Sequence, residues 1–139
     1  MSQENLEIVQ AIYAEAAEGR FGTTLHLFHP DVEYSRSASG GGSAAVVGLS
    51  GTARGVEAMV KAGLEWLQTF DRLRVQADRF VEVGDSVVVF VRHTGKAKAS
   101  GLPIEGEFAD VMTLREGRVI RFEQYRDRAE ALEAARLSE

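Results

Sequence analysis

The chain has 139 residues, a formal charge of −5 and no cysteine, which fits one domain able to bury roughly two thirds of its unfolded surface. Disulfides, thiolate nucleophiles and cysteine-ligated metals are thereby excluded, and a cytoplasmic setting is expected. The acidic balance argues against a broad phosphate-binding face, so no nucleic-acid partner is expected, and no apolar run approaches the ~18 residues of a membrane span.

In chain order, Leu6, Val9, Ile12, Tyr13, Ala16 and Ala17 recur at three and four residues and predict a first helix, with Gly19 as its stop. Phe21, Leu25 and Phe28 predict a second, short helix closed at His29 by Pro30. Val32 to Ser35 reads as a strand. Residues 36–54 are rich in glycine and serine, with Gly40 to Gly42 in a row, and predict a flexible loop. Val56, Met59, Val60, Gly63, Leu64, Leu67 and Phe70 mark a third, long amphipathic helix.

The second half alternates in the manner of strands. Leu73, Val75, Ala77, Val81 and Val83 give one, and Gly84-Asp85 turns the chain. Val87 to Thr94 gives a central strand, followed by strands near 105–115 and 118–126 around a two-residue Glu116-Gly117 turn. A short helix from Ala129 closes the chain. The prediction is one α+β domain over 1–139: three N-terminal helices packed on a strongly curved, mostly antiparallel sheet.

If Glu116-Gly117 is the whole loop, Phe108, Asp110, Met112 and Leu114 share a face with Tyr125, Glu123, Arg121 and Val119. Asp110 then stands in an apolar row. Burial raises its pKa, Glu123 opposite raises it further, and Arg121 on the diagonal lowers it. Two readings stay open: a carboxyl tuned for proton transfer, or an Asp–Arg–Glu cluster that neutralises itself within the sheet. The opposite face carries Val111, Ile120 and Phe122, which predicts a homodimer through that row unless the C-terminal segment covers it.

Tyr13, the segment Phe28-His29-Pro30-Asp31-Val32-Glu33, Gly101-Leu102-Pro103 and the ending from Asp110 through Leu114-Arg115-Glu116-Gly117-Arg118-Val119-Ile120 to Tyr125-Arg126-Asp127 resemble the SnoaL-like proteins. These belong to the ketosteroid-isomerase-like, nuclear-transport-factor-like superfamily. The resemblance implies a conical α+β barrel, a pocket between concave sheet and helices, and frequent dimers. It implies no single reaction, because the superfamily contains isomerases, cyclases, epoxide hydrolases, dehydratases and non-catalytic members. Tyr13 and Asp110 match the oxyanion-hole positions of the steroid isomerases. The isomerase base falls at Tyr34, and the His-Trp-Asp segment of polyketide cyclases is replaced by Phe122-Glu123-Gln124. Both departures argue against those two activities.

The candidate catalytic group is therefore Asp110 as acid or base, Tyr13 as hydrogen-bond donor, and His93, Arg121 and Glu123 as tuning groups. Tyr34, Trp66, Phe108, Met112 and Tyr125 are expected to line the pocket. His26 and His29 lack a third ligand in register, so no metal is expected. Gly40-Gly41-Gly42 lacks a dinucleotide fingerprint, and no organic cofactor is expected. The function expected is a small-molecule pocket, either a cofactor-independent acid–base enzyme on a small apolar substrate or a non-catalytic ligand-binding or dimerisation module.

Overall fold

The structure is a computed structural model and describes residues 2–36 and 51–137. The first apolar stripe forms α1, Ser2–Ala17, whose buried face is Val9, Ile12, Tyr13 and Ala16. Gly19 ends it at φ +78° with its N–H on the Ala16 carbonyl at 2.9 Å, a left-handed stop that glycine adopts without steric cost.

The second helix expected from the sequence is only a 3-10 turn, Leu25–Leu27, and Phe28 is already extended. Pro30 lies inside β1, Phe28–Arg36, rather than closing a helix. It is tolerated there because the β1–β6 pairing is irregular between Phe28 and Glu33, so its missing N–H removes no ladder bond. β2, Gly51–Arg54, returns antiparallel along β1 with Gly51 opposite Arg36. Both ends of the 36–54 segment are thus strand. Its centre, with the glycine run and the flexibility expected of it, lies outside the described residues.

After β2 comes α2, Val56–Leu67. Phe70, expected on that helix, instead begins β3, Phe70–Val83. β4, Ser86–Ala97, β5, Pro103–Arg115, and β6, Arg118–Tyr125, complete the meander, and α3, Arg128–Leu137, follows. The result is an α+β fold with a curved, open six-stranded sheet in the order β2-β1-β6-β5-β4-β3. β1 and β6 run parallel and the other neighbours antiparallel. Three N-terminal helices is therefore a miscount. Two helices and a 3-10 turn precede the meander, and the third helix among the described residues is the last element.

Two bulges decide which side chains face the core. Between β5 and β6 the expected register holds only next to the turn, where Glu116 and Gly117 both have positive φ (+51° and +78°). Beyond Leu114–Val119 the pairing slips, so that Thr113 meets Arg121, Met112 meets Phe122 and Asp110 meets Gln124. One extra residue exchanges the faces of everything after it. A second slip between Ala77 and Arg79 leaves Leu73, Val75 and Ala77 with the concave core, while Val81 and Val83 join the opposite face.

The concave core packs α1 and α2 against Val32, Tyr34, Val87, Val89, Val91, Met112 and Leu114. On the convex face Val88, Ala109 and Val111 are covered by Ala131 and Ala135 of α3. The row expected to seal a homodimer is consequently not a row. Phe122 packs with the concave core and Val111 beneath α3, so the alternative, a C-terminal segment folded back over the sheet, accounts for Val111.

Gly95 is required where the first β3 bulge crosses β4. A Cβ there would lie 3.0 Å from the Leu73 Cα and 3.1 Å from the Asp71 carbonyl, beside Arg72 with its left-handed φ of +56°. Backbone cannot swing aside as a side chain would. Gly95→Ala is expected to destabilise the fold by about 1–3 kcal/mol, read from the urea midpoint; an unchanged midpoint would show that the bulge yields.

Candidate functional site

Between the concave sheet and the two N-terminal helices lies a cavity of about 230 Å³. Its walls are apolar, from Ile12, Leu25, Met59, Val75 and Met112 among others, and its rim carries Phe21 and Leu64, which are 39% and 50% exposed. A polar strip crosses this apolar space, contributed by neighbouring strands and α1: Tyr34, Arg36, Gln124, Asp110, Tyr13 and His93.

Alternation along β5 aims Asp110 inward with Met112, and it is only 3% exposed. The Tyr13 hydroxyl reaches across from α1 and donates to Asp110 Oδ2. Oδ1 is buried without a hydrogen-bond partner. Loss of water pushes the Asp110 pKa up to about 7, against the Tyr13 hydrogen bond, the Arg36 charge and the nearby Gln124 amide, all of which favour the carboxylate. Burial and the Asp110 carboxylate raise Tyr13 well above the ordinary phenol value, so it remains a donor.

Gln124 organises the other half of the strip. Its Oε1 accepts from the Tyr34 hydroxyl at 2.5 Å and from Arg36 Nε at 2.9 Å, and a second Arg36 nitrogen donates to the Tyr34 oxygen. Burial lifts Tyr34 to about 12. The Arg36 guanidinium lies 5.3 Å from the ring centroids of both Tyr34 and Trp66, within cation–π range. His93, on β4, packs 5.0 Å from Trp66 and 4.7 Å from Phe108. Burial, with the Arg36 charge adding, lowers its pKa to about 4. It is a neutral imidazole at physiological pH, and its Nδ1 is buried with no partner.

Of the residues singled out from the sequence, Asp110, Tyr13, His93, Tyr34, Trp66 and Met112 line one cavity. Arg121, Glu123 and Tyr125 do not. The β6 bulge turns them to the convex side, where Arg121 lies 3.8 Å from Glu33 and Glu123 accepts from the Tyr125 hydroxyl at 2.8 Å. The Asp–Arg–Glu cluster therefore does not exist. Phe108 stands behind His93 over Gly106, where an added Cβ would strike its ring at 2.6 Å. Arg36, Phe122 and Gln124 were missed, Arg36 because it opens a glycine-rich stretch and the other two because of the bulge. Among the described residues no group of three His, Asp or Glu side chains is placed to hold a metal ion, and no helix is long and apolar enough to cross a membrane.

The profile of the SnoaL-like domain matches residues 9–122. The chain belongs to the SnoaL-like domain family. The same fold recurs in solved structures. An NTF2-like protein of unknown function from Burkholderia pseudomallei K96243 superposes with TM-score 0.76 at 24% identity, covering 94% of this chain and 95% of that one. TerC, co-crystallised with polyporic acid, gives TM-score 0.74 at 26% identity over 95% and 98% of the two chains. A candidate SnoaL-like polyketide cyclase from Jannaschia sp. CCS1 gives 0.75 at 20% identity over 97% and 93%. No functionally curated protein matches this SnoaL-like domain significantly. Its Tyr13–Asp110 pair joins the first helix to the penultimate strand.

Proposed function

We propose that this SnoaL-like domain binds a small, largely apolar molecule and moves a proton on it, with Asp110 as the acid–base group and no organic cofactor. The observation that carries the reading is Asp110 Oδ1, a buried carboxyl oxygen without a partner in an apolar cavity. A carboxyl titrating near neutrality holds both protonation states at working pH, which is what general acid–base catalysis requires. Tyr13 is the positioning residue: it engages Oδ2 and leaves Oδ1 to face the ligand. The carboxylate takes a proton from a carbon beside a carbonyl and returns it elsewhere on the same molecule, so the net reaction is a rearrangement or ring closure. The neighbour co-crystallised with polyporic acid shows that at least one protein of this fold has been crystallised with an organic acid.

Two measurements test this. The Asp110 carboxyl carbon, followed by NMR, should titrate with a midpoint near 7; a midpoint below 5 would remove the acid–base role. Deuterium exchange from solvent into a panel of cyclic and aromatic ketones should be catalysed for at least one member and should fall about 10²-fold or more in Asp110→Asn. A panel that binds without exchanging would identify a non-catalytic pocket instead.

A further inference from the structure

We infer that the Arg36 end of the cavity is a subsite for an anionic oxygen, so that the ligand is an apolar, ring-containing molecule carrying a carboxylate or an oxygen that becomes an enolate. The inference deepens the proton-transfer reading and rests on it for the role of Asp110. Arg36 ends β1 and is 6% exposed, yet it lines the cavity. Its guanidinium presents a fixed positive charge to an otherwise largely apolar space. Its known partners orient it: Gln124 Oε1 accepts from Nε, the Tyr34 oxygen accepts from another nitrogen, and the Trp66 and Tyr34 rings flank it. A planar fork fixed in this way suits a planar, delocalised oxyanion better than a point charge would.

A second observation points to a ligand at the same end. His93 packs on Trp66, the ring that Arg36 also faces, and its buried Nδ1 has no partner. The strand register sets the distance between the two ends. Arg36, Gln124 and Asp110 occupy one row across β1, β6 and β5, and strands about 4.8 Å apart place the outer two backbones about 10 Å apart. A small ring bridges that gap. Asp110 Oδ1 then takes the proton from carbon while the electron pair left behind is delocalised onto the oxygen at Arg36. Charge is conserved in the cavity, because the carboxylate becomes neutral as the enolate forms beside the guanidinium. The resemblance to the steroid isomerases put Tyr13 and Asp110 at oxyanion-hole positions; here Arg36 takes that role and Asp110 is the base, one of the two roles the sequence reading gave it.

The test compares two probes of one shape, 2-naphthoate and 2-naphthamide, by isothermal titration at pH 6 with the wild type, Asp110→Asn and Arg36→Gln. The naphthoate should bind about tenfold or more tightly than the amide to the wild type, the worth of one charged hydrogen bond. The same preference should persist in Asp110→Asn, which separates this inference from the fate of the acid–base reading. In Arg36→Gln the ratio should fall to within about twofold, with the amide affinity little changed. Should Arg36→Gln not fold, the Arg36 Nε resonance of the wild type decides: it should shift on adding naphthoate and not on adding the amide. Equal binding of the two probes, binding of neither at millimolar concentration, a preference surviving Arg36→Gln, or a silent Arg36 resonance would each overturn the inference.

Discussion

Asp110→Asn should melt on the order of 10 °C above the wild type at pH 8 and at nearly the same temperature at pH 4. Folding raises the Asp110 pKa from 3.8 to about 7. An acid with a raised folded-state pKa contributes stability that is fully present below pH 3.8 and lost as pH rises through 7. Across that window the folded state binds the extra proton, so stability falls with pH, by roughly 4 kcal/mol for about three pKa units at 1.36 kcal/mol each. Asparagine has nearly the same shape and never ionises, so above pH 7 it removes the whole penalty.

His93 works in the opposite direction. Its pKa falls from 6.5 to about 4 on folding, so its contribution is present above 6.5 and lost as pH falls through 4. Between about pH 4 and 6.5 the two ramps offset in the wild type, and Asp110→Asn alone should gain stability with rising pH. Melting curves across pH 4–8 measure both slopes. A lower melting temperature for Asp110→Asn at pH 8 would mean that the buried carboxylate is stabilising, which contradicts a folded-state pKa raised by burial.

Removing α3, by ending the chain at Asp127, should destabilise the protein by about 3–6 kcal/mol and make it self-associate. Val88 and Val111 are 0% and 1% exposed beneath Ala131 and Ala135, and each buried valine contributes about 1.5–3 kcal/mol. Asp127 caps the helix through Ala129 N–H at 2.8 Å. Arg128 braces it, with its guanidinium 4.6 Å from the Phe90 ring centroid and 3.0 Å from Glu107. Without α3 the convex face exposes an apolar patch of Val88, Ala109 and Val111, which shares only Val111 with the row the sequence suggested for a dimer. Urea unfolding gives the stability, and sedimentation at several concentrations gives the association. A truncated chain as stable as the parent would show that α3 is an ornament on the sheet. Ala131→Asp in the full chain should reproduce the loss, because it forces a carboxylate onto the same two valines.

The sequence by itself determined which segments are helix and which are strand wherever an apolar period repeats: α1, α2, the four strands of the meander and α3. It also determined the tight turn at Glu116-Gly117, because glycine takes a positive φ without penalty. Asp110 was legible as a carboxyl in an apolar row, and Tyr13 as a polar tip on an apolar helix face. Those signals are local, carried by residues within a few positions of one another. The composition of the polar strip was decided by tertiary structure. A bulge in β6 exchanges Arg121, Glu123 and Tyr125 for Phe122 and Gln124 on the concave side, and no local preference marks where an extra residue enters a ladder. Arg36 reads as the beginning of a loop until β6 pairs alongside β1 and carries Gln124 to it. That parallel pairing joins segments almost ninety residues apart. The polar strip depends on side chains from four strands and a helix meeting away from water, and only the helices packed on the curved sheet make the desolvation that lifts Asp110 and lowers His93.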